Sequence, residues 1–285
     1  MTRAKGPVLK FCLLAGAGSF AVLYALREQA AWIYASELYS HILIVPFISA
    51  YFFIKRRAAV FRDAQNGHAA GAAVYCAGAA VHMLSLAFRE TLGRNDYISA
   101  SLASLFLFIL GAFVVSFGAR SLKAGAFPVF FLVFMIPLPV AAMDAIIYAL
   151  QSLSTDAVHA IVKAAGVPVT RDGFVLRFPG LSIEVAKECS GIRSSLVLVI
   201  TGSVASQMYL RSYAGKAALL LSVLPITVLK NSLRITTLTL LGLYWDERTL
   251  HGSLHTRGGL LFFLLALSTL ALVAWAIRKA ERGRS

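Results

Sequence analysis

"KECSGIRSSLVLVITGSVASQMYL", residues 187 to 210, changes character within a few positions. A charged start, Lys187-Glu188-Cys189, gives way after Gly191 to an apolar run, and crossing a bilayer core takes about 20 such residues. Comparable runs recur at 7–25, 40–55, 70–88, 98–119, 125–142, 216–242 and 257–277, so about eight membrane-spanning helices are expected. The composition agrees. Of 285 residues, 59% are hydrophobic and only 14% charged, a balance that keeps no ordinary soluble domain in solution. The run at 7–25 follows Thr2-Arg3-Ala4-Lys5 and has no small-x-small cleavage site directly after it, so it reads as a span rather than a signal peptide. No linker or internal repeat divides the chain. The reading is an all-α integral membrane protein, one polytopic domain over 1–285.

The net charge of +14 does not point to nucleic acid, because the basic residues are dispersed through loops and form no patch with interleaved aromatics. Their placement is topological. Basic clusters at 2–5, 54–62, 119–123, 211–216 and 277–284 fall on alternate loops, which the positive-inside rule assigns to the cytoplasm together with both termini. The remaining loops carry most of the acids, among them Glu28, Glu37, Glu90, Asp96, Asp144, Asp156, Asp172, Glu184, Glu188, Asp246 and Glu247. Those loops are expected outside an inner, cytoplasmic membrane.

The longest stretch between spans, 143–190, is read as an extracytoplasmic insertion. In 144–165, Ile146, Ile147, Leu150, Leu153, Val158 and Ile161 recur at helical spacing among polar residues, which predicts an amphipathic surface helix. The period then changes. Around Asp172-Gly173 and Pro179-Gly180, apolar and polar residues alternate, predicting a small β-hairpin that delivers the chain to Cys189.

Three cysteines allow at most one disulfide and show no metal-ligand spacing; Cys12 and Cys76 lie inside apolar runs, where free cysteine is usually a packing residue. Cys189 differs. It is expected at the start of the sixth span, where free amides and the positive dipole end favour a thiolate. Glu188 opposes that effect and Arg193 supports it. In the seventh span, Arg234 stands about eight residues before Gly242, roughly 12 Å deep, with Lys230 and Asn231 one turn further in. An arginine at that depth is costly and is a functional candidate by default. His251 and His255 precede the eighth span, and His255 is preferred because Gly258 and Gly259 beside it allow close helix approach. A thiolate, a near-neutral acid or base and a fixed cation are the parts that acyl transfer through a thioester requires; no cofactor or metal is called for.

These residues resemble the exosortases and archaeosortases, multipass cysteine transpeptidases that process C-terminal sorting signals. "ECSGIRSS" is similar to the family's Ala-Cys-Ser-Gly-Ile-Arg-Ser block, "LPITVLKNSLRI" to its Pro…Asn-x-x-Arg-Ile/Val block, and "HTRGGLLFF" to its His-x-x-x-Gly-Trp…Phe block. "YSHILIVPFISAYF", with His41, and "FPVFFLVFMIPLPV" are similar to two further family stretches, so the likeness runs from about 39 to 275. Three positions depart from it: Glu188 in place of a small residue, Ile42 in place of glycine and Leu260 in place of tryptophan. The resemblance implies Cys189 as nucleophile, Arg234 as the invariant arginine and His255 as the histidine, with Glu188, Ser190, Gly191, Arg193, Asn231, His41 and His251 in support. It also implies membrane-anchored protein substrates carrying a short motif such as Pro-Glu-Pro, then a transmembrane helix and a basic cluster, all within the lipid bilayer. Two other classes use the same residues differently: a transporter or channel lined by Lys230, Arg234 and His255, and a non-catalytic scaffold for single-span membrane proteins.

Overall fold

The computed structural model describes residues 5–36, 39–62, 67–244 and 253–283, apart from the side chains of 5, 188, 189 and 253–258. Its surface is inverted relative to a soluble protein. Phe20, Phe47, Leu221, Leu260 and Trp275 are exposed, while Ser101, Ser104, Ser121, Ser154, Asn231 and Ser232 have no exposed surface. Lipid as the solvent accounts for both halves of that pattern, since apolar side chains cost nothing there and polar ones must find partners inside.

Two compact units divide the chain, Met1–Ala142 and Met143–Ser285. The first contains α1 (Lys5–Leu26), a 3-10 turn at Arg27–Gln29, α2 (Ala30–Ala35), α3 (His41–Arg62), α4 (His68–Ala87) and α5 (Arg94–Phe131), continued by a 3-10 turn at Leu132–Met135. The α5 segment is not one rod. At Gly118 the backbone takes φ 81° and ψ 164°, a conformation essentially restricted to glycine, and the chain doubles back. Phe106 and Phe130 therefore meet at a tilt of 49° with centroids 6.1 Å apart, and Asp96 accepts from the Val140 amide at 2.8 Å. A straight helix would separate Phe106 from Phe130 by about 36 Å. The α4 helix packs tightly on this hairpin because Gly71 and Gly111 bring backbone against backbone: a Cβ on either would stand 2.4 to 2.6 Å from a facing amide nitrogen. Rings of Phe11, Phe53, Phe61, Phe113 and Phe117 fill the adjoining core.

The second unit takes most of α6 (Val140–Ala164), then β1 (Thr170–Asp172), β2 (Val175–Phe178), β3 (Leu181–Glu184), a 3-10 turn at Lys187–Ser190, α7 (Ile192–Tyr209), α8 (Tyr213–Tyr244) and α9 (Ser253–Arg282). The expected hairpin has one strand more than the alternation suggested. Both turn signals are used, giving an antiparallel meander in which Asp172 faces Val175 and Phe178 faces Leu181. Leu176, Phe178 and Val185 pack with Val158 and Val162 of α6 and Ile235 of α8.

The face that α6 buries differs from the expected one. Gln151, Ser154 and Thr155 point inward with Leu150, Val158 and Val162, whereas Ile146 and Leu153 are exposed. The expected apolar stripe is split, Leu150 and Val158 inward and Ile146 and Leu153 outward, and polar side chains join the inner side because the interior supplies hydrogen-bond partners.

Six helical segments among the described residues are long and apolar enough to cross a membrane: Gly6–Ala35, His68–Ala87, Arg94–Met135, Val140–Ala164, Tyr213–Tyr244 and Gly259–Arg282. The protein is thus a multipass membrane protein, with six such segments rather than the eight expected. Two of the expected spans fall short for a reason visible in their residues. The α3 helix carries Lys55, Arg56, Arg57 and Arg62, and α7 carries Arg193, Gln207 and four serines in 18 residues.

Candidate active site

The chain reaches Cys189 from the sheet. Val185, buried beneath α6, accepts a 2.8 Å hydrogen bond from Gln151 Nε2, and after it the chain winds through the 3-10 turn Lys187–Ser190. Gly191 then takes φ 79°, ψ 14°, and only at Ile192 does α7 begin. Cys189 thus belongs to a tight turn ahead of α7, with Ser190 and Gly191 between it and the helix, and α7 begins where the apolar run after Gly191 is expected to start.

Gly191 shows why this block has the residues it has. Its φ is costly for any residue with a Cβ. Its space is also taken: a Cβ would stand 3.3 Å from Lys230 Nζ and 3.4 Å from Asn231 Oδ1. The turn therefore lies directly on α8. Lys230, buried, donates to Ser194 Oγ at 2.5 Å, and the Ser194 and Ser195 hydroxyls donate to the Gly191 carbonyl at 2.9 and 2.8 Å. Asn231, fully buried, donates from Nδ2 to Ser154 Oγ of α6 at 3.1 Å. Ser190 is fully buried as well. Three elements are thus tied together at the turn that carries the thiol.

Arg234 follows Lys230 by four residues and Asn231 by three, so all three share one face of α8. Arg234 is half-buried and engaged in interactions of its own. Arg193, in the first turn of α7, is likewise engaged. His41 begins α3 in the first unit.

The positions of α7, α8 and α9 along their common axis follow from their packing. Leu198, Leu219, Val223, Ile226, Ala266, Leu270 and Ala274 form one core between them. A Cβ on Gly202 would lie 3.7 Å from Leu220, Val223 and Leu270, which sets a common level. Counting from it at about 1.5 Å per residue, Ile192 stands roughly 15 Å, Arg234 roughly 19 Å and the backbone of His255 roughly 22 Å towards one end. The opposite end is closed by Glu281, which accepts from the Arg211 and Ser212 amides at 2.9 and 3.0 Å. The backbones of Ile192, Arg234 and His255 therefore stand within about 7 Å of each other in height, with the Cys189 turn just ahead of Ile192. The α9 helix starts at Ser253, which puts His255 in its first turn. The side chains of Glu188, Cys189 and His255, and all of His251, lie outside the described residues.

A groove of about 540 Å³ runs between α6 and the sheet, lined by Asp144, Tyr148, Gln151, Phe174, Glu184 and Lys187. Tyr148 and Phe174 meet edge to face at 5.5 Å, and Lys187 faces Asp144 at 3.9 Å. Lys187 opens the turn that contains Cys189, so the groove ends at the thiol's own segment. Sequence reasoning missed this groove, and it weighed Lys230 only as part of a transport path. The signal for Lys230 was present in its spacing from Arg234; the Ser194 partner was not legible, since nothing local pairs residues 36 positions apart.

Among known proteins, a family model described as transmembrane exosortase matches residues 32–272. No curated protein and no solved structure matches the chain. The matched region includes the Cys-Ser-Gly turn, the Lys230–Arg234 face of α8, the first turns of α9 and most of both units. The chain belongs to the transmembrane exosortase family.

Proposed function

We propose that the protein is a cysteine transpeptidase of the exosortase type, which cleaves C-terminal sorting signals of exported proteins and passes them to an acceptor. The observation that carries this reading is the seating of Gly191 against Lys230 and Asn231. It supports a cysteine turn set near Arg234, at the end of the bundle where the first turn of α9, starting at Ser253, carries His255. The Cys189 thiolate attacks the scissile carbonyl carbon, and Arg234 stabilises the negative charge on sulfur and then on the carbonyl oxygen. Collapse of the tetrahedral intermediate breaks the C–N bond, with the leaving amine taking a proton from His255. The resulting thioester is attacked by an acceptor amine or by water. Glu188, Ser190, Arg193 and His251 support the site on this reading. The groove ending at Lys187 receives the substrate chain ahead of the bond cleaved.

In this scheme the hairpin at Gly118 crosses the membrane twice, α3 and α7 cross beside their neighbours, and α6 stays on the outer face with the sheet. Eight crossings then leave both termini in the cytoplasm and the site outside. A membrane-impermeant thiol reagent tests the topology: it should label Cys189 in intact spheroplasts of a variant lacking Cys12 and Cys76. Labelling only after lysis would reverse the topology. For the chemistry, Cys189→Ala, Arg234→Ala and Arg234→Lys should each abolish processing of a tail-bearing substrate at normal protein levels, the last because an ammonium lacks the planar fork. Near-normal processing by Cys189→Ala would leave the scaffold or transporter reading in its place.

A further inference from the structure

At the end of the second unit opposite Gly191, the short link between α7 and α8 meets the last turns of α9. A pocket of about 320 Å³ opens there, lined by Gln207, Tyr209, Arg211, Arg278, Glu281 and Arg282. The carboxylate in it is occupied. Glu281 accepts from the Arg211 amide at 2.9 Å, the Ser212 amide at 3.0 Å and the Ser212 hydroxyl at 2.5 Å, which locks the link in place. Ser212 in turn caps the start of α8, its Oγ accepting from the Gly215 amide at 2.9 Å. The junction is built for close contact: a Cβ on Gly215 would stand 2.4 Å from Glu281 Oε1.

Arg211 and Arg278 line this pocket together, and Arg282 beside them is engaged in interactions of its own. The two helix C-termini here, of α7 and α9, contribute about half a negative charge each, and the α8 N-terminus offsets one of them. With Glu281 the local balance is about −1.5 against +2 from Arg211 and Arg278 alone, leaving a net positive site. Lys216 and Lys279 hold their ammonium groups over Tyr213 at 5.6 Å and Trp275 at 5.3 Å. Arg278 lies over Tyr209 at 5.5 Å. These aromatics are exposed where the apolar run of α9 ends, the depth at which tyrosine and tryptophan sit among lipid headgroups. Met208, which also lines the pocket, and Leu272 are exposed on α7 and α9, where acyl chains would run.

We infer that this pocket binds the phosphate of an anionic phospholipid headgroup, with Arg211 and Arg278 as its principal donors. Arginine suits the role because its fork pairs with two phosphate oxygens at once. The lipid, rather than free phosphate, is the source because the pocket lies at headgroup depth beside exposed apolar flanks. Basic pockets between spanning helices commonly hold such headgroups.

The test is native mass spectrometry of the full chain released from neutral detergent, with phosphatidylglycerol, phosphatidylcholine or inorganic phosphate added. Phosphatidylglycerol adducts should exceed phosphatidylcholine adducts by about fivefold or more, and Arg211→Gln/Arg278→Gln should bring them to the phosphatidylcholine level. Arg211→Lys/Arg278→Lys keeps the charge and covers the case of a misfolded glutamine variant; it should lower the adducts about two- to threefold. Equal retention of the two lipids, or full retention of phosphatidylglycerol by the lysine variant, would overturn the inference. Displacement of phosphatidylglycerol by millimolar inorganic phosphate would overturn the choice of a lipid.

Discussion

The two units bury different chemistry. In the first, aromatic rings pack on one another: Phe11, Phe53, Phe61, Phe113 and Phe117 form a continuous set of stacked and edge-on pairs. Its buried polar side chains are serines and His82. Several of the serines answer backbone carbonyls, as Ser49 does Pro128 and Ser121 does Val60. The second unit has a single described ring pair, Tyr148 with Phe174, and buries an ammonium and two amides, Lys230, Gln151 and Asn231. Polar groups of that kind inside a membrane protein are expensive and mark function. The core of the first unit is mostly aromatic rings, and that of the second includes ammonium and amide groups tied to the turn at Gly191.

The strongest way to break this comparison uses one glycine from each unit. Gly191→Ala forces a Cβ into an αL position and against Lys230, so the cysteine's turn must shift; processing should fall by about a hundredfold or more, since displacements near 1 Å cost that much. Membrane levels of the variant should stay near normal. Gly118→Ala should do the reverse. Its φ and ψ cost a side chain about 1–3 kcal/mol, so folded protein should decline while activity per folded molecule is kept. Immunoblots of the membrane fraction beside a processing assay separate the two, and equal effects on both readouts for both variants would remove the distinction.

A smaller effect is expected from Lys230→Met. It removes the cation that bonds Ser194, and hydrogen bonds to charged groups are worth about 1.5–3 kcal/mol, so processing should drop roughly tenfold. Thermal stability should hold or rise, because an apolar side chain of similar length avoids burying a charge. A fall in melting temperature with activity intact would assign Lys230 to the fold alone. The mildest change in activity should come from Phe117→Ala in the first unit. It opens a cavity among the rings and should cost about 2–3 kcal/mol of stability, at the low end for a core phenylalanine because transfer to lipid carries little hydrophobic penalty. Turnover per folded molecule should be unchanged.

What was legible in the sequence was whatever a short window of residues decides. Hydropathy over 20 residues marked the long apolar helices, because the bilayer imposes that length on each helix separately. Asp172-Gly173 and Pro179-Gly180 marked both turns of the sheet, since turn geometry depends on two or three residues. The Cys-Ser-Gly block and its partners in α8 and α9 could be read as a family pattern, and the family match over 32–272 agrees with it.

Tertiary structure decided whatever depends on a partner far away in the chain. Periodicity gave α6 an apolar stripe, yet Gln151 and Ser154 are buried beside Leu150 and Val158, because Val185 and Asn231 offer them hydrogen bonds that lipid cannot. Hydropathy set the start of the span after Gly191, where the helix does begin at Ile192, but not the turn ahead of it. Gly191 takes a left-handed conformation where Lys230 and Asn231 of α8 would crowd a Cβ at 3.3 to 3.4 Å, and that contact joins residues some 40 positions apart. A local pattern registers how apolar a segment is, but not which distant atom will stand 3.3 Å from it.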